Sequence, residues 1–186
     1  MKKILSIIAL FFFSSIVVKA QTLPGLDKSP MDMSYCPANY PGLRAQGKPT
    51  DPLTARIIYS RPQKNGRAIF GSLVPYGKVW RLGANEATEI EFFKSVIIGG
   101  KKIEAGRYTM CCIPDSNKWT IIINKETDIW GEFTYDASKD VVRIDEPIEK
   151  QTPSIEALVM AFQKAFTGSN LVIVWDDVKV TLPITF

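Results

Sequence analysis

Apolar and polar residues alternate along most of this chain with a period of two, and short turn signals separate the alternating runs. Leu53 to Tyr59 puts Leu53, Ala55, Ile57 and Tyr59 on one face, the pattern of a half-buried strand. Thr88 to Phe93 alternates more weakly. Ser95 to Ile98 and Lys101 to Ile103 flank Gly99-Gly100, and glycine's tolerance of positive φ suits a hairpin turn there. Gly106 to Ile113 runs into Pro114 and an Asp115-Ser116-Asn117 turn, after which Lys118 to Asn124 carries Trp119 and three consecutive isoleucines. Val141 to Ile148, Leu171 to Trp175 and Val178 to Ile184 complete the strands, with Asp176-Asp177 predicted to turn the last two into a hairpin. Arg67 to Phe70 and Lys78 to Arg81 read as two further short strands, separated by Gly71, Pro75 and Gly77.

One element is ambiguous. Ile155, Leu158, Val159, Phe162 and Phe166 have helical spacing, while Ala157, Val159 and Ala161 spell a strand. Many short strands and at most one short helix near the C-terminus predict an all-β fold, an antiparallel β-sandwich of jelly-roll-like type. No repeat or low-complexity tract interrupts it.

The N-terminus departs from this pattern. Lys2 and Lys3 precede an almost wholly apolar run from Ile4 to Val18, and Val18 and Ala20 form a small-residue cleavage pattern before Gln21. Residues 1–20 are therefore expected to be a secretory signal peptide. The run is short for a membrane span of about 20 residues, and no second such stretch follows. The mature chain is expected to be exported, periplasmic or secreted, without a transmembrane anchor. Residues 21–51 are rich in proline and glycine and read as an extended arm, packed against the domain by Met31, Met33 and Tyr35. Residues 52–186 form a single domain, long enough to bury a core without staples.

Composition narrows the chemistry. The formal charge of +4 includes Lys2 and Lys3, so the mature chain is only mildly basic, and no basic run points to nucleic acid. There is no histidine, which removes Ser-His-Asp and Cys-His nucleophiles and histidine-ligated metals. Acid–base work would fall to carboxylates, lysines, tyrosines or a thiol. The three cysteines are Cys36, Cys111 and Cys112. Cys111 and Cys112 are adjacent in a predicted strand and should face opposite sides, and a disulfide from Cys36 to one of them is open on this count. No cysteine spacing resembles a zinc site, and no cofactor or metal is expected. Asp136 and Asp140 could join Glu86 as a carboxylate pair or calcium site, although Thr134 to Asp140 has no convincing calcium-loop pattern.

The candidate chemistry is concentrated between Ile58 and Thr88, which holds Arg61, Arg67 and Arg81 among glycines, prolines and aromatics. Pro62 favours an extended Arg61 and ends the strand, which places Arg61 where ligands gather. Arg61 and Arg67 could converge on one carboxylate or phosphate, which guanidinium grips bidentately. Alternatively, both pair with Glu86 or Glu89 of this domain. In Trp80-Arg81-Leu82-Gly83-Ala84-Asn85-Glu86-Ala87-Thr88, Asn85 suits a left-handed turn, and Glu86 is the candidate acid or base. The alternative there is a turn carboxylate held by Arg81. Tyr59, Tyr76, Trp80, Trp119, Trp130 and Tyr135 could stack on sugars, or fill the core. Trp130 and Tyr135 lie in the least apolar stretch and are the expected exposed ones.

These segments resemble one family. YSRP (Tyr59–Pro62), GR (Gly66-Arg67), IFG (Ile69–Gly71), LVPYG (Leu73–Gly77), VWR (Val79–Arg81) and GANEAT (Gly83–Thr88) are similar to the bacterial domain of unknown function twenty-nine eleven. So are IGGKKIEAGRY (Ile98–Tyr108), WTIIINK (Trp119–Lys125) and WG (Trp130-Gly131). The resemblance implies an exported bacterial protein and a strand-like C-terminal segment at Ile155–Phe162, but no activity. It marks Tyr59, Arg61, Arg67, Tyr76, Trp80, Arg81, Asn85, Glu86 and Thr88 as motif residues. The reading that follows is a non-enzymatic binding module for a small polar ligand, a carbohydrate or a carboxylate-bearing envelope component. Two alternatives stand beside it: a histidine-free glycan hydrolase or lyase using Glu86, and a purely architectural motif with function in contacts elsewhere.

Overall fold

The alternation at Leu53–Tyr59 becomes a strand that buries Ala55, Ile57 and Tyr59. A computed structural model describes residues 22–186, so the expected signal peptide lies outside the described residues. Along the chain come β1 (Met31–Cys36), α1 (Tyr40–Ala45), β2 (Ala55–Ser60), β3 (Glu89–Phe92), β4 (Val96–Ile98), β5 (Lys101–Ile103), β6 (Gly106–Pro114) and β7 (Lys118–Asn124). A 3-10 turn at Ala137–Lys139 leads into two long strands, β8 (Asp140–Ala165) and β9 (Gly168–Thr185). Neighbours pair antiparallel in the order β1-β2-β3-β6-β7-β8-β9-β4-β5. The fold is the expected all-β sandwich.

The length of β8 creates the two layers. Its first part, up to Pro147, pairs with β7, and the part from Ile148 onward pairs with β9. The layers are then sewn at their other margin. The backbone N–H of Met160 donates to the Tyr59 hydroxyl at 3.0 Å, Leu158 N–H donates to the Pro62 carbonyl at 3.0 Å, and Phe162 N–H donates to Ser34 Oγ at 3.3 Å. Between the layers sits an aromatic cluster. Phe70 and Trp119 lie 5.1 Å apart, Trp80 stacks on Trp175 at 5.8 Å, and Trp80 meets Trp119 edge-on at 5.8 Å. Such pairings add about 0.5–1.5 kcal/mol each beyond their buried area.

Several expectations change. Ile155–Phe166 holds no helix: residues up to Ala165 belong to β8, with Leu158, Met160 and Phe162 buried. Residues four apart share a face in a helix and in a strand alike, so Leu158 and Phe162 could not discriminate, whereas Met160 between them does. The α-helix of the described residues is instead α1, one and a half turns in the expected arm. That arm also supplies β1, paired with β2 from Met31↔Ser60 to Cys36↔Ala55. Asp176-Asp177 does not close a hairpin. Leu171–Trp175 and Val178–Ile184 are one strand, bent where Asp176 adopts φ 53° beside a register shift against β8. Arg67–Phe70 and Lys78–Arg81 are not strands but turn-rich coil, making only isolated bridges at Phe70 and Trp80.

All three cysteines are free and buried. Cys112 belongs to the core and Cys111 faces the other side of β6, as adjacent strand residues must. Burial, with the nearby Glu132 and Asp140 carboxylates, pushes the Cys111 thiol up to about 12. No helix among the described residues is long and apolar enough to cross a membrane.

Candidate binding cleft

Most polar atoms of the motif stretch are committed to the fold. Tyr59 is 2% exposed, and its hydroxyl also donates to the Met160 carbonyl at 3.3 Å. Burial pushes that hydroxyl's pKa up, so it stays a neutral donor and acceptor between the layers. Arg61 donates through Nε to the Leu158 carbonyl at 3.0 Å and through an Nη to Asp32 at 3.1 Å. Asp32 comes from β1, so neither Glu86 nor Glu89 is the acid that pairs with Arg61. Thr88 is fully buried, and its hydroxyl donates to the Leu82 carbonyl at 2.8 Å.

The loop from Trp80 to Thr88 is held on both sides. Trp80 Nε1 donates to the Gly83 carbonyl at 3.1 Å, and Thr88 N–H donates to the Arg81 carbonyl at 3.1 Å. Across from it, Gly131 N–H donates to the Asn85 carbonyl at 2.9 Å and Ala87 N–H to the Ile129 carbonyl at 3.1 Å. Leu82 and Asn85 both sit in the left-handed region, at φ 55° and 61°. That conformation is routine for asparagine and uncommon for leucine. Gly83 packs so tightly on β2 that a Cβ there would stand 3.3 Å from the Ser60 carbonyl oxygen.

Beside this loop lies a cleft of about 280 Å³. Arg67, Lys78 and Arg81 bring three cationic side chains to its walls, Glu132 the single carboxylate, and Trp80 and Trp175 an apolar floor. Arg67 donates through Nε to Lys64 O at 3.0 Å and through an Nη to Gln63 O, so its bonds go to carbonyls of its own turn. Arg81 donates one Nη to Glu132 at 2.9 Å, a single-point contact, and its buried Nε has no hydrogen-bond partner among the described residues. Neither fork is therefore spent on a bidentate carboxylate.

Arg61 and Arg67 do not converge on one group: Arg61 turns to Asp32 and Leu158, and only Arg67 lines the cleft. Nor does Arg81 hold Glu86. Glu86 is exposed and lines a separate hollow of about 370 Å³ with Glu89, Asp128 and Trp130. Glu89 there already faces Arg107 at 3.4 Å and accepts from Asp128 N–H at 2.7 Å. Asp136 and Asp140 do not join Glu86. Asp136 caps the 3-10 turn, and Asp140 accepts from Asn124, Tyr135 and Arg143. Of the aromatics, Trp119 is core, Tyr76 is 45% exposed and Trp130 59% exposed. Tyr135 is half-buried with its hydroxyl on Asp140, and burial, with that carboxylate, pushes its pKa up to about 12.

Sequence reasoning missed Lys78, Glu132 and Trp175. Lys78 lies inside the motif stretch and is read there only as the start of a short strand. Glu132 and Trp175 reach the cleft from segments 51 and 94 residues away from Arg81, and no local pattern carries that information.

Residues 45–184 match the family model described as Protein of unknown function (DUF2911), well over half of the chain. The match takes in every residue that lines the cleft except Ser29. No curated protein and no solved structure matches.

Proposed function

We propose that this chain, which belongs to the DUF2911 family, is an exported, non-enzymatic binding module whose cleft takes a small carboxylate-bearing ligand, such as a sugar acid of the cell envelope. The observation that carries the reading is the charge balance of the cleft, in which Arg67, Lys78 and Arg81 face one carboxylate, Glu132. A ligand carboxylate would meet guanidinium and ammonium groups that have no bidentate acid of their own. Trp80 and Trp175 reach the cleft from the core, where both are buried, and give it an apolar edge. Glycoside hydrolysis by the usual route needs two carboxyl groups flanking the bond, and the cleft offers one, already engaged by Arg81. Export rests on the apolar N-terminal run after Lys2 and Lys3.

Calorimetric titration with uronic acids, their oligomers, muramyl peptides and the matched neutral sugars tests this, with product analysis of every mixture. Acidic compounds should bind, neutral ones should not, and all should be recovered intact. Equal affinity for acidic and neutral members, or unchanged binding by the Arg67→Ala, Lys78→Ala double variant, would overturn it.

The second hollow favours one other reading. Glu86, Glu89 and Asp128 lie there with the exposed ring of Trp130, a set that would serve a glycan hydrolase or lyase with Glu86 as acid or base. On that reading turnover of a glycan appears and Glu86→Gln abolishes it without lowering stability.

A further inference from the structure

A larger hollow lies elsewhere in the described residues. A cleft of about 710 Å³ opens where the β8–β9 turn meets α1 and the C-terminus. That volume lies within the range of about 300–1,000 Å³ found for small-molecule sites. Its lining is mainly apolar and includes Pro37, Leu43, Pro49, Ala165, Phe166 and Phe186. Phe166 is fully exposed and Phe186 is 46% exposed, so two aromatic rings at this end lack the burial their surface would reward. The α1 helix contributes no buried residue, and its half-buried Leu43 lines the cleft instead.

Charge at the rim is predominantly positive. Lys164 lines the cleft, and Lys94 Nζ sits 4.1 Å from the centroid of the Phe186 ring. Arg44 and Lys48 border the adjoining depression, which shares Thr50 and Asp51 with the cleft. Asp51 is the one acidic side chain among the residues lining either hollow. An occupant complementary to this end therefore has a long apolar body and an anionic head.

We propose that this cleft binds a single-chain anionic amphiphile, a long-chain carboxylate or its equivalent, with the tail between Leu43 and Phe166 and the head at Lys164 and Lys94. The site is distinct from the Arg67–Arg81 cleft and does not depend on what that cleft holds. Two features set it apart from a merely greasy surface. The apolar residues line a half-open hollow of about 710 Å³ and not a flat patch, so tail length should matter. Lys164 stands two residues before Phe166 and Lys94 lies over the Phe186 ring, so head charge should matter separately.

The test titrates 11-(dansylamino)undecanoate into the protein and displaces it with the even-numbered fatty acids from octanoate to hexadecanoate. Blue-shifted emission should appear, and displacement should tighten about fourfold per added methylene until the cleft is filled. Matched long-chain alcohols should bind more weakly than the acids. Lys164→Glu, a change at an exposed position, should weaken the acids roughly tenfold and leave the alcohols nearly unaffected. Ala165→Trp and Ala38→Trp, each filling the cleft from a different wall, should abolish uptake; Ala38 is exposed, so its variant keeps the fold. Uptake that ignores chain length, or that survives both tryptophan variants, would overturn the proposal. So would binding to anionic lipid vesicles with no displacement of the probe by any fatty acid, which would make this end a membrane-docking surface.

Discussion

Two groups of polar residues between Tyr59 and Thr88 lie close together in sequence and are placed differently. Tyr59, Arg61 and Thr88 direct their polar atoms to partners inside the protein: Met160, Leu158, Asp32 and Leu82. Arg67, Lys78 and Arg81 line a cleft whose one carboxylate, Glu132, pairs with Arg81, and the buried Arg81 Nε has no partner among the described residues. A polar residue in a dense motif is thus no guide to function until its partners are known. Tyr59 and Arg61 tie β2 and its following turn to β8, Thr88 fixes the loop from Leu82, and the second group stands on the frame so produced. The hydrogen bonds of Tyr59, Arg61 and Thr88 are the kind the architectural reading expects, and the proposed binding reading rests on Arg67, Lys78 and Arg81.

The division can be broken or sharpened by substitution. The largest effect is expected at Trp80, which belongs to both groups, stacked on Trp175 in the core and lining the cleft. Trp80→Ala should cost about 3–5 kcal/mol by chemical denaturation and remove ligand binding as well. Next comes Tyr59→Phe, which strands the Met160 N–H and carbonyl between the layers. It should cost about 1–3 kcal/mol, with ligand affinity unchanged in the surviving folded protein. Thr88→Val should behave the same way at the lower end of that range.

A smaller effect, outside both groups, calibrates the scale. Glu146 is buried on β8 opposite Trp119, and burial raises its pKa. Its folded form therefore prefers the proton: stability is greatest below the ordinary carboxyl range and falls as pH rises through the folded-state value. Glu146→Gln should stabilise the protein at neutral pH and lose that advantage under acid conditions, as followed by urea denaturation across pH. The smallest stability change belongs to Arg67→Ala and Lys78→Ala, each within about 0.5 kcal/mol of wild type, while binding of an acidic ligand collapses.

Much of the fold was legible because period-two alternation and Gly or Asp turns are local signals. Lys118–Asn124 coincides with β7, and Gly99-Gly100 does join β4 to β5. The misreadings have local causes too. Leu158 and Phe162 fit both periods, and Asp176 bends a strand without ending it. The site was legible only as a neighbourhood. That Arg61 would turn to Asp32 depends on β1 pairing with β2, and that Glu132 would meet Arg81 depends on the 129–131 segment docking on Asn85 and Ala87. These are long-range placements made by the sandwich. The left-handed φ of Leu82 is likewise imposed by the loop's anchors and is invisible in a residue that normally avoids it.

Thermal unfolding with and without oligogalacturonate, run side by side on three proteins, tests the division most directly. A ligand at a hundredfold its dissociation constant should add about 2.7 kcal/mol of stability. Wild type should melt higher with ligand. The Arg67→Ala, Lys78→Ala variant should keep the wild-type baseline and show no ligand shift, while Tyr59→Phe should melt lower and keep the full shift. If the double variant still shifts, or if its baseline falls as far as that of Tyr59→Phe, the cleft cations serve the fold and the division between the two groups does not exist.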